Sequence, residues 1–375
     1  METIPLMTLT VDLNALATNY RIVAETVAPA RVAGVVKADG YGLGAALVVG
    51  ALYGAGCRDF FVALTGEASA LRPSLPIDSR LFVLNGIAPG EEAALIAADA
   101  VPVLNCPADI ARWAAAARIV GRRLPAAVQV DSGMSRLGLS PGDVAALAAD
   151  GGPLVDLDIV LIMSHLACGD EPDAAANAAQ RARFAELAAM LPPAPRSLAN
   201  SGGAFLGAGF HGDLVRPGIA LYGAAPQMGR DNPMRPVVSL DARIAQWRDV
   251  PAGTGVGYGL TSVAAHDRRI ATLSYGYADG WPRSLSNRGA AYVGGHRAPI
   301  AGRVSMDSIC IDVTDVPADV LAAAGHAELI GPHQTIDKVA EDAGTIAYEI
   351  LTGLRHRHAR RILGVQQEGA VQCAS

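Results

Sequence analysis

From residue 31 to about 223 the chain alternates two textures. Short β-branched runs that end in Gly, Asn, Asp or His are separated by Ala/Leu-rich stretches of helical period and helix length, the pattern of repeated strand–helix units. Eight such runs follow one another: RVAGVVKADG, DFFVALTG, RLFVLNG, AVPVLN, AAVQVDSG, DIVLIMSHLAC, RSLANSGG and LVRPGIALYG. Between them lie ALVVGALYGAG, GEEAALIAADA, ADIARWAAAARIVG, PGDVAALAADGG and AAQRARFAELAAML. Eight parallel strands with eight crossovers predict a (β/α)8 barrel rather than an open sheet. After the Gly/Pro-rich PQMGRDNPMRP the texture changes to alternating strands such as SLDARIAQWRDV, RRIATLSYGYADG and DSICIDVTDV, followed by one late helix over DKVAEDAGTIAYEILTGL. The fold class read from this is α/β: an N-terminal (β/α)8 barrel and a C-terminal mainly-β domain. Residues 1–10 are expected to add a strand to the C-terminal domain, residues 11–235 to form the barrel, and residues 236–375 to form the second domain.

Length and composition agree with this picture. At 375 residues the chain exceeds one ordinary core. With 51% apolar and 18% charged residues and no low-complexity block, it reads as a globular soluble protein. A formal charge of −6 with scattered Lys and Arg argues against a nucleic-acid partner. No apolar run is long enough to span a bilayer, and METIPLMTLTVDLNALATNY has no signal-peptide pattern, so a cytoplasmic location without membrane association is expected. The five cysteines, Cys57, Cys106, Cys168, Cys310 and Cys373, are widely spaced and odd in number, which favours neither a disulfide framework nor a metal site.

In a barrel the side chains at the C-terminal strand ends converge on one face. The first to consider is Lys37, where the apolar GVV run gives way to ADGYG. A strand-end amine in a partly desolvated place has a lowered pKa and suits Schiff-base chemistry. The same glycines also read as G-x-G-x-x-A, the fingerprint of a dinucleotide-dependent oxidoreductase. Lys37 and Tyr41 would crowd a pyrophosphate there, and the acidic residue expected about 20 positions on is missing, Glu67 standing too late.

The whole stretch VVKADGYGLGA resembles the cofactor-lysine motif of alanine racemases, fold-type III pyridoxal-phosphate enzymes. The resemblance continues in order through VDSGMSRLG, SHLACGDEPD, ANSGG, VRPGIALYG, VGYGLT, YGYADG, GRVSMD and AYEIL. It implies pyridoxal 5′-phosphate as cofactor, a small amino acid as substrate, interconversion of L- and D-alanine, and supply of D-alanine for peptidoglycan. It also implies a homodimer in which the partner's C-terminal domain completes each active site.

Carried over by motif, Lys37 would hold the cofactor and act as base on the D side, and Tyr258 of the partner subunit would act on the L side. Racemisation needs two such groups, since one face loses a proton while the other gains one. Arg216 would meet the cofactor's pyridine nitrogen, and because a guanidinium keeps its proton the ring nitrogen stays unprotonated. His165 would link that arginine to the tyrosine, whose ordinary pKa near 10 must be tuned for it to serve as a base. Tyr41, Tyr348 and Ser201, with the amides near Gly218 and Ile219, would hold the phosphate at the fold's usual anion site; Asn200 would complete the cofactor shell. Arg136 and the Met306 amide would bind the substrate carboxylate. Tyr277 and Asp307 match positions near the substrate, and Asp170, Arg283 and Arg303 positions along its approach path. Basic amino-acid decarboxylases share the architecture but carry a cysteine motif where this chain has SMDS. Single-barrel cofactor-binding proteins lack residues 236–375. A broad-specificity or serine-preferring racemase is the closest alternative.

One position departs from the family pattern. Many members carry, seven residues before the substrate arginine, a lysine that becomes carbamylated and braces it; here that residue is Gln129, which cannot be carbamylated. Support for Arg136 then falls to a neutral amide, a bound anion or another carboxylate. Racemisation by this protein is expected to be unchanged in carbon-dioxide-depleted buffer; a collapse of rate that bicarbonate restores would refute this.

Overall fold

The computed structural model describes residues 5–150 and 152–364; Cys373 lies outside them. Contacts divide the chain into two compact units. One comprises Leu16–Leu221 with Ala225–Met234, the other the chain up to Ala15, Tyr222–Ala224 and the chain from Arg235 on.

The first unit is the barrel. Its first strand runs Arg31–Val32 and resumes as Gly34–Val35, and the next six are Asp59–Val62, Arg80–Val83, Ala100–Leu104, Leu124–Gln129, Leu157–Met163 and Arg196–Ser197. From Gly34–Val35 on, these seven pair in sequence order, all parallel. The eighth strand, Leu214–Val215, closes the ring. It pairs with Arg31–Val32 on one side, and on the other Asp213 N–H and Arg216 N–H donate to Arg196 O and Ala199 O at 2.8 and 3.0 Å. Strands Asp59–Val62 and Ala100–Leu104 are buried at every position, as expected where both sheet faces are covered. Phe61 and Phe82, on neighbouring strands, stack at 4.5 Å with planes 8° apart.

Most crossovers are helical. The helix Pro107–Val120 shows why: proline at its start, Gly121 at φ 74° to stop it, and Ile110, Trp113, Ala114 and Ala117 on one buried stripe. The expectation of eight helical crossovers fails after the seventh strand, where two 3-10 turns, Gly203–Phe205 and Ala208–Phe210, do the work. That segment, GGAFLGAGFHG, has too many glycines to hold a helix. An α-helix, Leu13–Val27, precedes the first strand instead. At the N-terminal rim Asp59, fully buried, is clamped by Arg31 (2.7 Å) and Arg80 (2.6 Å), tying the starts of three strands together.

The second unit is mainly β. Its long strand Val238–Val250 is antiparallel to Met7–Asp12, to His326–Ile330 and, beyond a bulge at Ile244/Gln246, to Arg268–Leu273. Met7–Asp12 alternates buried and half-buried positions and pairs in parallel with Ala359–Leu363 on its other edge. The single late helix expected over 337–354 is two, Ile336–Ala343 and Ala347–Gly353. The break falls at Gly344, whose φ of 73° ends the first in a left-handed cap. No helix among the described residues is long and apolar enough to cross a membrane.

Truncating Phe61 removes a fully buried ring and its stacking partner's contact. Phe61→Ala is expected to cost about 3–5 kcal/mol of stability, read as a fall in the urea midpoint; a loss under about 1 kcal/mol would contradict the packing described.

Candidate active site

The polar end of the barrel is built by the residues that follow each strand. Lys37 is half-buried at the end of the first strand. The chain after it turns through five consecutive residues of positive φ: Ala38 (53°), Asp39 (52°), Gly40 (63°), Tyr41 (56°) and Gly42 (82°). This is a left-handed turn, closed by Gly40 N–H to Val36 O (2.9 Å) and Gly42 N–H to Ala38 O (2.8 Å). Left-handed backbone is disfavoured for L-residues by about 1–2 kcal/mol each, so Ala38, Asp39 and Tyr41 together hold roughly 3–6 kcal/mol of strain. Burial holds the Lys37 ammonium below the usual lysine range, Arg136 pushes the same way, and Glu67 pulls back. The outcome is an amine with more free base than a solvated lysine.

Arg216 follows the eighth strand and is 4% exposed. Burial lowers its pKa to about 9, still above neutrality, so it stays charged. Its guanidinium donates to Ser197 Oγ, to Ser164 O (2.6 Å) and toward His165 Nδ1 (3.5 Å), which uses three of its five N–H groups. Because an arginine donor faces Nδ1, that nitrogen is the acceptor and the ring proton sits on Nε2. His165 is accordingly neutral. Its pKa is pushed down to about 3, by burial first and then by Arg216, Arg136 and Lys37. Asn200 Nδ2 lies 3.5 Å from Nε2, but that amide is oriented by its other bonds, to Leu166 O (3.3 Å) and from Gly203 N–H (3.0 Å). The Nε2–H is left to donate to an acceptor supplied from elsewhere.

Tyr41, Ser201, Gly218 and Ile219 come together in a cradle. Ser201 Oγ, buried, accepts from Gly218 N–H (2.9 Å) and Ala220 N–H (3.2 Å), so its own proton remains to be given. A Cβ at Gly218 would collide with Tyr41 Oη, so only glycine allows that hydroxyl so close to the backbone. The Ile219 amide has no hydrogen-bond partner among the described residues. A buried donor left over beside two hydroxyls is what a phosphate group would satisfy.

Arg136 stands on the loop after the fifth strand, exposed. Asp131 Oδ1 shapes that loop by accepting from Gly133, Met134 and Ser135 N–H at 2.9, 3.0 and 3.1 Å. Among the described residues the Arg136 guanidinium has neither ion pair nor hydrogen bond, and the buried Gln129 side chain makes none either. Gln129 therefore does not brace Arg136 directly. Asp170 is exposed, and its backbone oxygen accepts from Met228 N–H at 2.8 Å.

The other predicted residues, Tyr258, Tyr277, Arg283, Arg303, Met306, Asp307 and Tyr348, belong to the mainly-β unit. Tyr258 is 72% exposed in the 3-10 turn Tyr258–Leu260. The Arg303 guanidinium lies against Gly259 of that turn. The turn carrying Tyr277 and the loop carrying Met306 are laced together by Tyr277 N–H to Ser305 O and Ala278 N–H to Met306 O, both 3.0 Å. Arg283 lies on the turn Arg283–Leu285, and Ser286 Oγ links that turn to the Arg303 loop by accepting from Val304 N–H at 3.0 Å. Two residues not singled out from the sequence organise these loops. Asp279, fully buried, accepts from Gly276 N–H (2.9 Å) and Arg357 Nε (2.6 Å), and Arg357 also holds Asp307 at 2.7 Å. Tyr348 lies on the helix Ala347–Gly353, and Arg355 N–H, just past that helix, donates to Asp279 O at 3.1 Å.

A closed (β/α)8 barrel with a cationic, lysine-bearing polar end, followed by a mainly-β unit, defines the class. Known proteins narrow it. The sequence models "Alanine racemase, N-terminal domain" and "Alanine racemase, C-terminal domain" match residues 11–226 and 237–362. A catabolic alanine racemase of Agrobacterium fabrum is 53% identical over 352 residues, covering 94% of this chain and 91% of that protein. An alanine racemase of Brucella canis is 52% identical over 365 residues, covering 94% and 92%. The crystal structure of alanine racemase from Bartonella henselae with covalently bound pyridoxal phosphate superposes with a TM-score of 0.92 at 42% identity, covering 96% of this chain and all of that one. The chain belongs to the alanine racemase family.

The half-buried, neutral His165 has a consequence for stability. Its pKa is about 3 in the fold against an ordinary 6.5, so between those values the unfolded chain binds one more proton. Stability is therefore lost as pH falls through this window, by about 1.4 kcal/mol per pH unit from this group alone. His165→Gln is expected to flatten the dependence by that amount between about pH 6 and pH 4 in urea unfolding; parallel slopes for both proteins would contradict the assignment.

Proposed function

We propose that this chain is an alanine racemase that interconverts L- and D-alanine with pyridoxal 5′-phosphate on Lys37, and that it works as a homodimer whose chains share each active site. The observation that carries the reading is Lys37 itself: a half-buried amine with a lowered pKa at the polar end of the barrel, with Tyr41 opening onto the Ser201–Gly218–Ile219 cradle four residues on. The cradle's hydroxyls and spare amide suit the phosphate, and Arg216 has N–H groups left over to meet a ring nitrogen. Held at Lys37 until an amino acid takes that place, pyridoxal phosphate would supply the electron-withdrawing group that acidifies the α-hydrogen.

The protein's own groups then do the rest. Lys37, displaced as free base, takes or returns the α-proton on one face. Tyr258 of the partner subunit serves the opposite face, because a single base returning the proton it took would restore the same enantiomer. Arg216 cannot give up its proton, so it would leave a ring nitrogen facing it unprotonated and weaken the ring as an electron sink, which would restrain side reactions. His165 offers its Nε2–H to the oxygen of the partner subunit's Tyr258, coupling that phenol to the Arg216 charge. Arg136, without an ion pair among the described residues, is able to take a small carboxylate in a two-pronged grip, aided by the partner subunit's Met306 amide. Asn200 and Tyr348 complete the cofactor's surroundings, Tyr277 and Asp307 stand near the substrate, and Asp170, Arg283 and Arg303 line its approach.

Tyr258 at 72% exposure, with Leu260, Val263 and Met306 also exposed, supports a surface meant to be covered by a second copy. Borohydride reduction of the loaded enzyme should fix the cofactor on the Lys37 peptide, and Lys37→Ala should lose both label and racemisation. Lys37→Ala mixed with Tyr258→Phe, each inactive alone, should regain activity on subunit exchange, since one mixed site is then intact. A mixture that stays inactive, with exchange verified by sedimentation of tagged chains, would rule out shared sites; wild-type protein that takes up no pyridoxal phosphate would rule out the function.

A further inference from the structure

We propose that Glu67 is a positioning residue for Lys37: its carboxylate holds the left-handed turn that begins at Ala38 and thereby fixes where the lysine amine stands. The proposal rests on the reading of Lys37 as the cofactor lysine. Glu67 lies on the helix Thr65–Leu71, after the second barrel strand. One oxygen, Oε1, accepts from the Ala38 amide at 2.7 Å. The other, Oε2, accepts from Ala63 N–H at 2.7 Å and Leu64 N–H at 3.1 Å. The carboxylate is thus a bridge: it pins the peptide unit directly after Lys37 to the turn that ends the next strand.

The place needs such a bridge. Ala38 has no side chain able to stabilise a left-handed conformation locally, and it begins a run of five positive φ values. Asp39 helps from the far side, accepting from Ala45 N–H at 2.8 Å. Among the described residues Glu67 is the acceptor of the Ala38 amide. Only a carboxylate fits the task, since all three partners are donors. A glutamine would present an NH2 group to one side of the bridge, and an aspartate is one methylene too short to reach both. Without the bridge the turn is free to relax toward commoner backbone, and Lys37 swings with it. Misplacing a reacting group by about 1 Å costs on the order of a hundredfold in rate.

Among the described residues Arg136 makes no hydrogen bond or ion pair to Glu67 or to the turn, so binding of the substrate carboxylate is left intact and the effect falls on turnover. The test compares wild type, Glu67→Gln and Glu67→Gln/Ala38→Gly as holoenzymes, by amide hydrogen exchange of the 36–44 segment and by kcat and KM for alanine in both directions. Glu67→Gln is expected to exchange the Ala38 amide at least about tenfold faster and to lose about 10- to 100-fold in kcat with KM within about twofold. Ala38→Gly should recover part of that loss, because glycine takes the left-handed conformation without a clamp. An unchanged Ala38 exchange rate, a kcat within about twofold of wild type, or a loss confined to KM would each overturn the proposal. So would a loss that Ala38→Gly leaves untouched, which would assign the effect to the carboxylate's charge. Should Glu67→Gln fail to fold, Glu67→Asp, which keeps the charge but not the reach, is read by the same criteria. Wild-type protein without cofactor on Lys37 would sink the function proposed above, whereas the exchange measurement would still decide whether the clamp exists.

Discussion

A guanidinium taken wholly out of water sets the terms for the polar end of the barrel. Burying an unpaired charge is costly, and Arg216 meets that cost by binding groups from two other strand ends: the Ser197 hydroxyl and the Ser164 carbonyl. Its position requires the seventh and eighth strands to meet, which the Arg196 and Ala199 carbonyls accomplish. Once there, it dictates the state of its neighbour. His165 can be neither charged nor protonated on Nδ1 beside it, so the imidazole has one tautomer and one direction in which to donate. The opposite rim shows the reverse arrangement, a buried carboxylate, Asp59, held between two arginines, Arg31 and Arg80, that tie strand starts together. The same kind of charge pairing is structural at one end of the barrel and left partly open at the other.

The strain after Lys37 belongs to this picture. Three non-glycine residues in left-handed backbone are tolerated because the surrounding carboxylates and carbonyls over-determine the turn. Elsewhere in the barrel, non-glycine residues take positive φ only singly among the described residues, at Asp99 (46°) and Ser135 (56°). The one unbroken run of five among the described residues follows Lys37, where a side chain has to be aimed.

Much of the architecture is legible in the sequence because both periodicities are strong and punctuated. All eight β-branched runs contain strands, and three stop directly at the polar residue that breaks the run: Ala100–Leu104 at Asn105, Leu157–Met163 at Ser164 and Leu214–Val215 at Arg216. The glycines that replace a helix by 3-10 turns before His211, and the one at 344 that splits the late helix, were readable signals outweighed by the apolar spacing around them. The left-handed turn has no such signal, since Ala38 and Tyr41 carry no preference for positive φ. Glu67 shows the difficulty well: by spacing it is an acid in the wrong place for a nucleotide ribose, and only the fold reveals that its partners are backbone amides. Asp279 and Arg357 are 78 residues apart, and nothing in local pattern joins a buried carboxylate to an arginine at that distance.

The pairing of Met7–Asp12 with strands from the far end of the sequence bears on how the molecule is made. The barrel's strands come from one continuous stretch, and it can close as soon as Leu214–Val215 has left the ribosome. Met7–Asp12, made before the barrel strands, has to wait. Its antiparallel partner begins at Val238 and its parallel partner at Ala359, which at about 5–20 residues per second is a delay of very roughly ten seconds to a minute. Through that interval Leu9 and Val11, both fully buried in the finished protein, are without their sheet. The nascent chain therefore carries an unpaired strand with an apolar face, the kind of surface that chaperones bind and that neighbouring nascent chains can pair with.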